Sequence, residues 1–450
     1  MGSWCDHVCM AAVKSHPTRI VIVGGGYVGM YTALGLQKKL RSGEASVTVI
    51  DPQPHMTYQP FLPEAAAGSI EPRHVVAPLR KVLKRCHVVT GRVNKIEHSR
   101  KIVTAELSDG HVEEIEYDVL VSALGAISRT LPIPGLAEVG IGMKTIGEAI
   151  YVRNHVLSRL DQAASTNDAE LRKRLLSFVV IGGGFAGIET LAELEDMTRY
   201  ALKYYEGIKP EEMNWVLVEA AGRIMPEVSA KLGAWTVEAL EKRGIKMYLD
   251  TRVKSLENGH VVLDDGTEFD SDTIIWTAGM KANPVLRNTD LPLDERGRVR
   301  CTAAMQVQGL DGVWAAGDCS AVPDLSRIEE DPTATCVPNA QHAIRQSKLL
   351  AKNIVASLRG QKPKDYFHKY LGSVAGLGLY KGVADVFGLR FKGVPAWFMH
   401  RSYHVMFMPT VNRKLRVLMD WTQALFYGRE IVALGQINDP KSDFDRAVQS

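Results

Sequence analysis

The stretch "RIVIVGGGYVGMYTALGL" (19–36) decides the fold class. Ile20 to Val23 form an unbroken β-branched run, the mark of a strand covered on both faces. Glycines end it, and small and apolar residues then continue at helical spacing. Gly24, Gly26 and Gly29 fall in the order G-x-G-x-x-G, with Gly25 between the first two. The first permits a tight turn, the second lets a pyrophosphate approach the backbone, and the third lets the helix lie close on its strand. The helix N-terminus brings partial positive charge to the phosphates. Such turns also arise for packing alone, so the surrounding sequence has to carry the reading.

It does so twice. "ASVTVID" (45–51) is a second strand ending in Asp51, where a carboxylate holds a ribose diol. "SFVVIGGGFAGIETLAEL" (177–194) repeats the design with Gly182, Gly184 and Gly187, and "NWVLVEA" (214–220) brings Glu219 to the matching place. The second interval exceeds the usual spacing of about 20 residues. An elongated helix and loop through "MTRYALKYYEGIKPEEMN" accounts for the excess. Glu219 would repel a 2′-phosphate and favours NADH, while Arg223 keeps NADPH open. Two dinucleotide sites are expected on one chain.

At 450 residues the chain has room for two or three domains, and a net charge of +3 is too small to mark nucleic acid as the partner. The six cysteines are scattered, which suits a reducing cytoplasm better than a disulfide framework. No uncharged apolar run reaches the roughly 18–20 residues of a membrane-spanning helix. "MGSWCDHVCMAAVKSHPTR" (1–19) lacks the apolar core of a secretory signal, so residues 1–17 read as a disordered extension. Its Cys5, His7 and Cys9 are too few for a firm metal site, and no metal is expected.

"DGVWAAGDCS" (311–320) is a late strand ending in Gly317 and Asp318, and "YDVLVSALGA" (117–126) and "SDTIIWTAGM" (271–280) end in small-residue turns holding Gly125 and Gly279. With these motifs in this order, residues 18 to about 355 resemble the two-dinucleotide flavoprotein oxidoreductases. That resemblance implies an α/β fold of two Rossmann-like domains, three-layered with parallel sheets, the second inserted in the first. It implies an FAD-binding domain of 18–145 and 286–360 and an NADH-binding domain of 146–285. Gly24, Gly25, Gly26, Gly29, Asp51, Val93, Gly125, Gly317 and Asp318 would then serve FAD. Gly182, Gly184, Gly187, Glu219 and Gly279 would serve NADH.

No cysteine pair has the C-x-x-C or C-x4-C spacing of the disulfide reductases. A sulfide-oxidising relay would need Cys319 and Cys336 together; the plainer reading is a small buried residue and a loop residue. Finer stretches resemble the type II, non-proton-pumping NADH:quinone oxidoreductases. "MTYQPFLPEAAAGSIEPRHVVAPLRKVL" (56–83) is similar to that family's segment beneath the flavin, although "LPEAAAG" departs from its more aromatic pattern. "GFAGIETLAELEDM" places Glu189 where the family brings a glutamate to the nicotinamide. "PNAQHAIRQ" resembles the A-Q-x-x-A-x-Q signature of its quinone pocket. Gln341 fills the first position, but Arg345 stands where a second glutamine is usual, with Gln346 about 100° further round the helix. His342 is the nearest titratable group for the quinone's protons, although a lone helical histidine is more often a surface or capping residue.

The last segment, 361–450, gathers Trp397, Phe398, Tyr403, Phe407, Trp421, Phe426 and Tyr427. Arg390, Lys392, Arg401, Arg413, Lys414, Arg416 and Arg429 lie among them, and Pro409 separates two helical stretches. Rings and cations on amphipathic helices suit a membrane interface, and they equally suit packing on the flavin domain or across a dimer. The resemblance favours the membrane. It implies an FAD enzyme that oxidises NADH and reduces menaquinone or ubiquinone, as a homodimer on the cytoplasmic face of the membrane. The rivals are a soluble NAD(P)H-dependent reductase for an iron–sulfur acceptor, a sulfide:quinone oxidoreductase, and a non-catalytic redox sensor.

Overall fold

The computed structural model describes residues 16–369, 372–434 and 441–449. Cys5, His7 and Cys9 lie outside them. The described residues form two compact units, the first from those of Met1–Met56, Pro78–Ala126 and Ala282–His368, the second from those of Thr57–Ala77, Ile127–Lys281 and Lys369–Ser450.

In the first unit the strand Thr18–Val23 sits inside a seven-stranded sheet, flanked by parallel partners Ala45–Asp51 and Val119–Ser122. Val313–Ala315 extends the parallel part at one edge, and an antiparallel meander through Ile102–Leu107 and Val112–Glu116 finishes the other. Ile20 to Val23 are at most 1% exposed, as an interior strand of β-branched residues requires. The helix Tyr27–Lys39 packs on the helix Ala340–Leu358 so closely that a Cβ at Gly35 would lie 2.6 Å from that of Ala351. Gly140–Gly142, Thr273–Trp276, Ser177–Ile181, Asn214–Val218 and Lys246–Tyr248 form, in that order, the all-parallel sheet of the second unit. Its core joins Val179, Ile181, Val216, Val218, Ile274 and Trp276. The long interval before Glu219 is filled by the helix Phe185–Ala201 and two short 3-10 turns.

Two features depart from the sequence reading. Residues 57–77 and 127–145, assigned to the FAD-binding domain, group with the second unit, and 282–285, assigned to the NADH-binding domain, group with the first. Side chains from far down the chain hold 57–77 in place: Arg429 bonds the Ala67 carbonyl and Ser69 hydroxyl, and Arg401 bonds Glu64. The C-terminal segment is also not purely helical. An antiparallel sheet of Gly372–Gly376, Gly382–Val386 and Leu389–Lys392 precedes the helices Val394–Phe407 and Val411–Tyr427, whose boundary contains Pro409. Short glycine-rich strands carry too weak an alternation to be read in advance.

Candidate functional site

The two glycine turns are built alike. In the first unit Gly24 has φ +103°, and its N–H donates to the Ile50 carbonyl at 2.8 Å. A Cβ on Gly29 would overlap the Gly24 carbonyl oxygen. Gly25 N–H donates to Asp51 Oδ2 at 2.6 Å and Gln53 N–H to Oδ1 at 2.7 Å, so the carboxylate is fixed at the strand end. Burial pushes the Asp51 carboxyl above its ordinary value against the pull of these two amides. A Cβ at Gly26, the helix cap, would meet nothing, and the same holds at Gly125. Open space over a helix N-terminus beside a half-buried carboxylate is the cradle a dinucleotide needs. Val93 is buried in the strand His87–Glu97.

In the second unit Gly182 has φ +113° and donates to the Val218 carbonyl at 2.9 Å. Gly187 lies against the Gly182 carbonyl, and Gly184 caps its helix with open space above it. Gly183 N–H donates to Glu219 Oε2, as Gly25 does to Asp51. Ala221 N–H donates to Glu219 Oε1 at 2.7 Å. Arg223 turns its guanidinium onto its own loop, donating to the Val228 carbonyl at 2.5 Å and the Pro226 carbonyl at 3.3 Å. Gly279, at φ +92°, accepts the Arg129 amide through its carbonyl at 3.1 Å.

The Gly317–Asp318 turn is held by a residue the sequence reading set aside. Gln346, 1% exposed, accepts the Gly317 N–H on Oε1 at 2.7 Å. Its offset round the helix from Gln341 is what turns it toward this strand end. Gln341 is half-buried, and Arg345, also half-buried, turns back along the helix to donate to the Gln341 carbonyl at 3.2 Å. His342 is neither a surface nor a capping residue. It is 7% exposed, its Nδ1 lies 2.9 Å from the Tyr366 hydroxyl, and burial lowers its pKa. The cap is Asn339, whose side chain accepts the His342 N–H at 2.8 Å.

Cys319 and Cys336 are free thiols engaged with different carbonyls, Cys319 with Ser122 and Ala316 and Cys336 with Pro323. Burial pushes them up to about 11 and about 12, far from a reactive thiolate. Glu189 is 8% exposed, and its Oε1 accepts the Gly376 N–H at 2.9 Å and stands 3.0 Å from His400 Nε2. Arg401 and Arg429, counted with the basic surface in the sequence reading, are each 6% exposed. Arg401 pairs with Glu64 at 2.8 Å between the rings of Trp397 and Trp421. Arg429 pairs with Glu193 and Asp196, each at 2.8 Å.

Residues 18–347 match the pyridine nucleotide-disulphide oxidoreductase family. The type II NADH:quinone oxidoreductase Ndh of Mycobacterium tuberculosis is 30% identical over 421 residues, 90% of this chain and 87% of that enzyme. The type II NADH:quinone oxidoreductase of Staphylococcus aureus is 30% identical over 388 residues, 85% of this chain and 93% of that one. The fold is shared with NDH2 from Plasmodium falciparum, solved in complex with NADH. Its TM-score is 0.85 at 18% identity, covering 93% of this chain and all of that one. The chain belongs to the type II NADH:quinone oxidoreductases, within the pyridine nucleotide-disulphide oxidoreductase family, and is an FAD-dependent NADH dehydrogenase that passes two electrons to a quinone.

Proposed function

We propose that the enzyme works at a membrane surface, with FAD held in the first unit and NADH in the second. Gly24, Gly25, Gly26 and Gly29 admit the FAD pyrophosphate and Asp51 takes its ribose. Val93, Gly125, Gly317 and Asp318 complete that site. Gly182, Gly184, Gly187 and Gly279 do the same for NADH, with Glu219 on the ribose and Glu189 at the nicotinamide. Bound FAD supplies the two-electron redox chemistry; the chain supplies alignment and exclusion of water. A carboxylate ribose holder, with Arg223 engaged on its own loop, supports NADH over NADPH. Gln341 meets the quinone, and Arg345 holds a quinone oxygen or favours the anionic reduced cofactor.

The observation that carries the membrane reading is a reversed amphipathic pattern. His400 and Arg401 are buried on the helix Val394–Phe407, while Phe398 and Met406 are 66% and 68% exposed. On Val411–Tyr427 only Val417 is buried; Leu415, Leu418, Leu425, Phe426 and Tyr427 face outward beside exposed Arg416. An apolar cavity of about 590 Å³ opens between the two helices, lined by Trp397, Phe398, Val405, Leu418 and Leu425. Rings outside and charges inside suit contact with lipid tails beneath anionic headgroups. No helix among the described residues is long and apolar enough to cross a membrane. A homodimer on the cytoplasmic face follows the family resemblance.

The test is NADH oxidation by the purified holoenzyme in liposomes with menaquinone, ubiquinone or a ferredoxin-type acceptor. Turnover with a quinone and co-sedimentation with anionic vesicles are expected; failure of every quinone refutes the reading. Cys319→Ser with Cys336→Ser should leave quinone turnover within about twofold, since neither thiol is ionised near neutrality. Loss of turnover would instead favour a thiol relay. Gln346→Leu strips the acceptor from the half-buried Gly317 amide, which costs about 1 kcal/mol or more. We expect flavin to leave this variant at least tenfold more readily on dilution, read by flavin fluorescence.

A further inference from the structure

The helices Val394–Phe407 and Val411–Tyr427 share a stack of three side chains. Arg401, 6% exposed, has its guanidinium 4.2 Å from the Trp397 ring centre and 4.5 Å from that of Trp421. Arg401 Nη2 and Trp421 Nε1 both donate to Glu64 Oε2, each at 2.8 Å. Two N–H groups of the stack remain. Arg401 Nε and Trp397 Nε1 are buried, and neither meets an acceptor among the described residues. Buried donors are nearly always paired, because an unpaired one gives up its hydration and gains nothing in return. Both residues line the apolar cavity of about 590 Å³ between the two helices.

Leu379, Val405 and Leu425 add hydrocarbon wall to that cavity. Phe398, Met406 and Leu418 line it too, and they are 66%, 68% and 44% exposed, so it opens outward between apolar side chains. An apolar space with unpaired donors at its edge fits a ligand with a hydrocarbon body and an oxygen acceptor. We propose that the cavity seats one acyl chain of a membrane glycerolipid, with the chain's ester carbonyl accepting from the edge formed by Arg401 and Trp397. This rests on the membrane-surface reading, which supplies the lipid.

Charge selects the ester over a free fatty acid. Glu64 is 3% exposed and pairs with Arg401, so the stack is neutral as a whole. A carboxylate head would set a second anion beside a buried one, and the charge of Arg401 is already matched. An ester carbonyl accepts the same N–H groups and adds no net charge. Depth agrees with charge: glycerolipid esters lie at the boundary between tails and headgroups, which is also where tryptophan rings settle.

The experiment takes the holoenzyme in a steroid-type detergent, which has no alkyl chain to compete, and adds dioctanoyl phosphatidylcholine below its micellar concentration. Native mass spectrometry counts the bound molecules. One lipid per chain should bind saturably, and the ether-linked dioctyl analogue, which lacks the carbonyls, should bind about fivefold more weakly. Trp397→Phe keeps a ring and loses the donor. It should weaken the ester lipid about threefold or more and leave the ether lipid unchanged. Val405→Trp fills the cavity and should abolish uptake of both. No saturable uptake by the unmodified enzyme overturns the proposal, as do equal affinities for ester and ether or full uptake by Val405→Trp. Tighter binding of octanoate than of the ester lipid overturns the neutral head, and displacement of the lipid by decylubiquinone assigns the cavity to the electron acceptor instead. The ester and ether comparison uses the unmodified enzyme, so it decides even where a variant fails to fold. Co-sedimentation with vesicles separates the two readings. Enzyme that sediments but takes up no single lipid loses the site alone, and enzyme that binds the lipid without sedimenting keeps the site and loses the membrane-surface reading.

Discussion

Replacing Arg429 with alanine is expected to destabilise the second unit by about 3–5 kcal/mol, the usual cost of stripping a buried ion pair of one partner. The guanidinium holds Glu193 and Asp196 and also bonds the Ala67 carbonyl and the Ser69 hydroxyl. Asp196 keeps Lys381 and the Leu379 amide in the variant, but Glu193, 2% exposed, loses its cation. For a unit of this size the melting temperature should fall by about 10 °C or more. The pH dependence has a definite sign. Burial already raises the Glu193 carboxyl while Arg429 pulls it down, so the variant should raise it further. A carboxyl raised in the folded state stabilises at low pH and loses that contribution as pH rises through its folded pKa. The gap between variant and parent should therefore narrow as pH is lowered in thermal melts. Glu193→Gln added to Arg429→Ala should recover part of the loss, because it removes the orphaned charge. A loss under 1 kcal/mol, or a gap independent of pH, would falsify this account of the cluster.

That cluster marks the limit of what the sequence reveals. The strand, turn and helix of each dinucleotide cradle are local: Gly24 to Gly29 and Gly182 to Gly187 announce themselves within a few residues, and Asp51 and Glu219 close each motif on the next strand. The pairing of Glu64 with Arg401 spans 337 positions and the bond from Arg429 to Ser69 spans 360. No periodicity links such partners, so both arginines read as surface cations in a basic segment. The same distance hid the placement of residues 57–77. Gln346 is within reach of the sequence, because its 100° offset from Gln341 follows from helix geometry; that the Gly317 amide lies on that side does not. His342 failed for a related reason: nothing near it in the chain foretells Tyr366 as its cover. The outward apolar stripe of Val411–Tyr427 was legible as a pattern, yet a pattern alone does not say which face is buried.

Alanine at Gly29 or Gly187 should remove one cofactor each, and the largest effects on binding are expected here. Either Cβ would overlap a backbone carbonyl of its own turn, Gly24 or Gly182, and backbone cannot rotate away as a side chain can. The turn must open, which moves the helix N-terminus off the phosphates. Gly29→Ala should emerge with under about a tenth of the parent's flavin absorbance. Gly187→Ala should stay yellow and bind NADH at least about 100-fold more weakly, a difference of about 2.7 kcal/mol. Alanine at Gly26 or Gly184 separates binding from folding. Neither Cβ meets anything in the protein, and both caps have negative φ, so the chain should fold with stability close to the parent's. The methyl group instead enters the space proposed for the pyrophosphate, and affinity should fall about tenfold or more, for FAD at Gly26 and for NADH at Gly184. Flavin retention on dialysis and the NADH dependence of flavin bleaching measure the two. Parent-like affinity in Gly26→Ala and Gly184→Ala would mean that the open space over each helix is not where the dinucleotides lie.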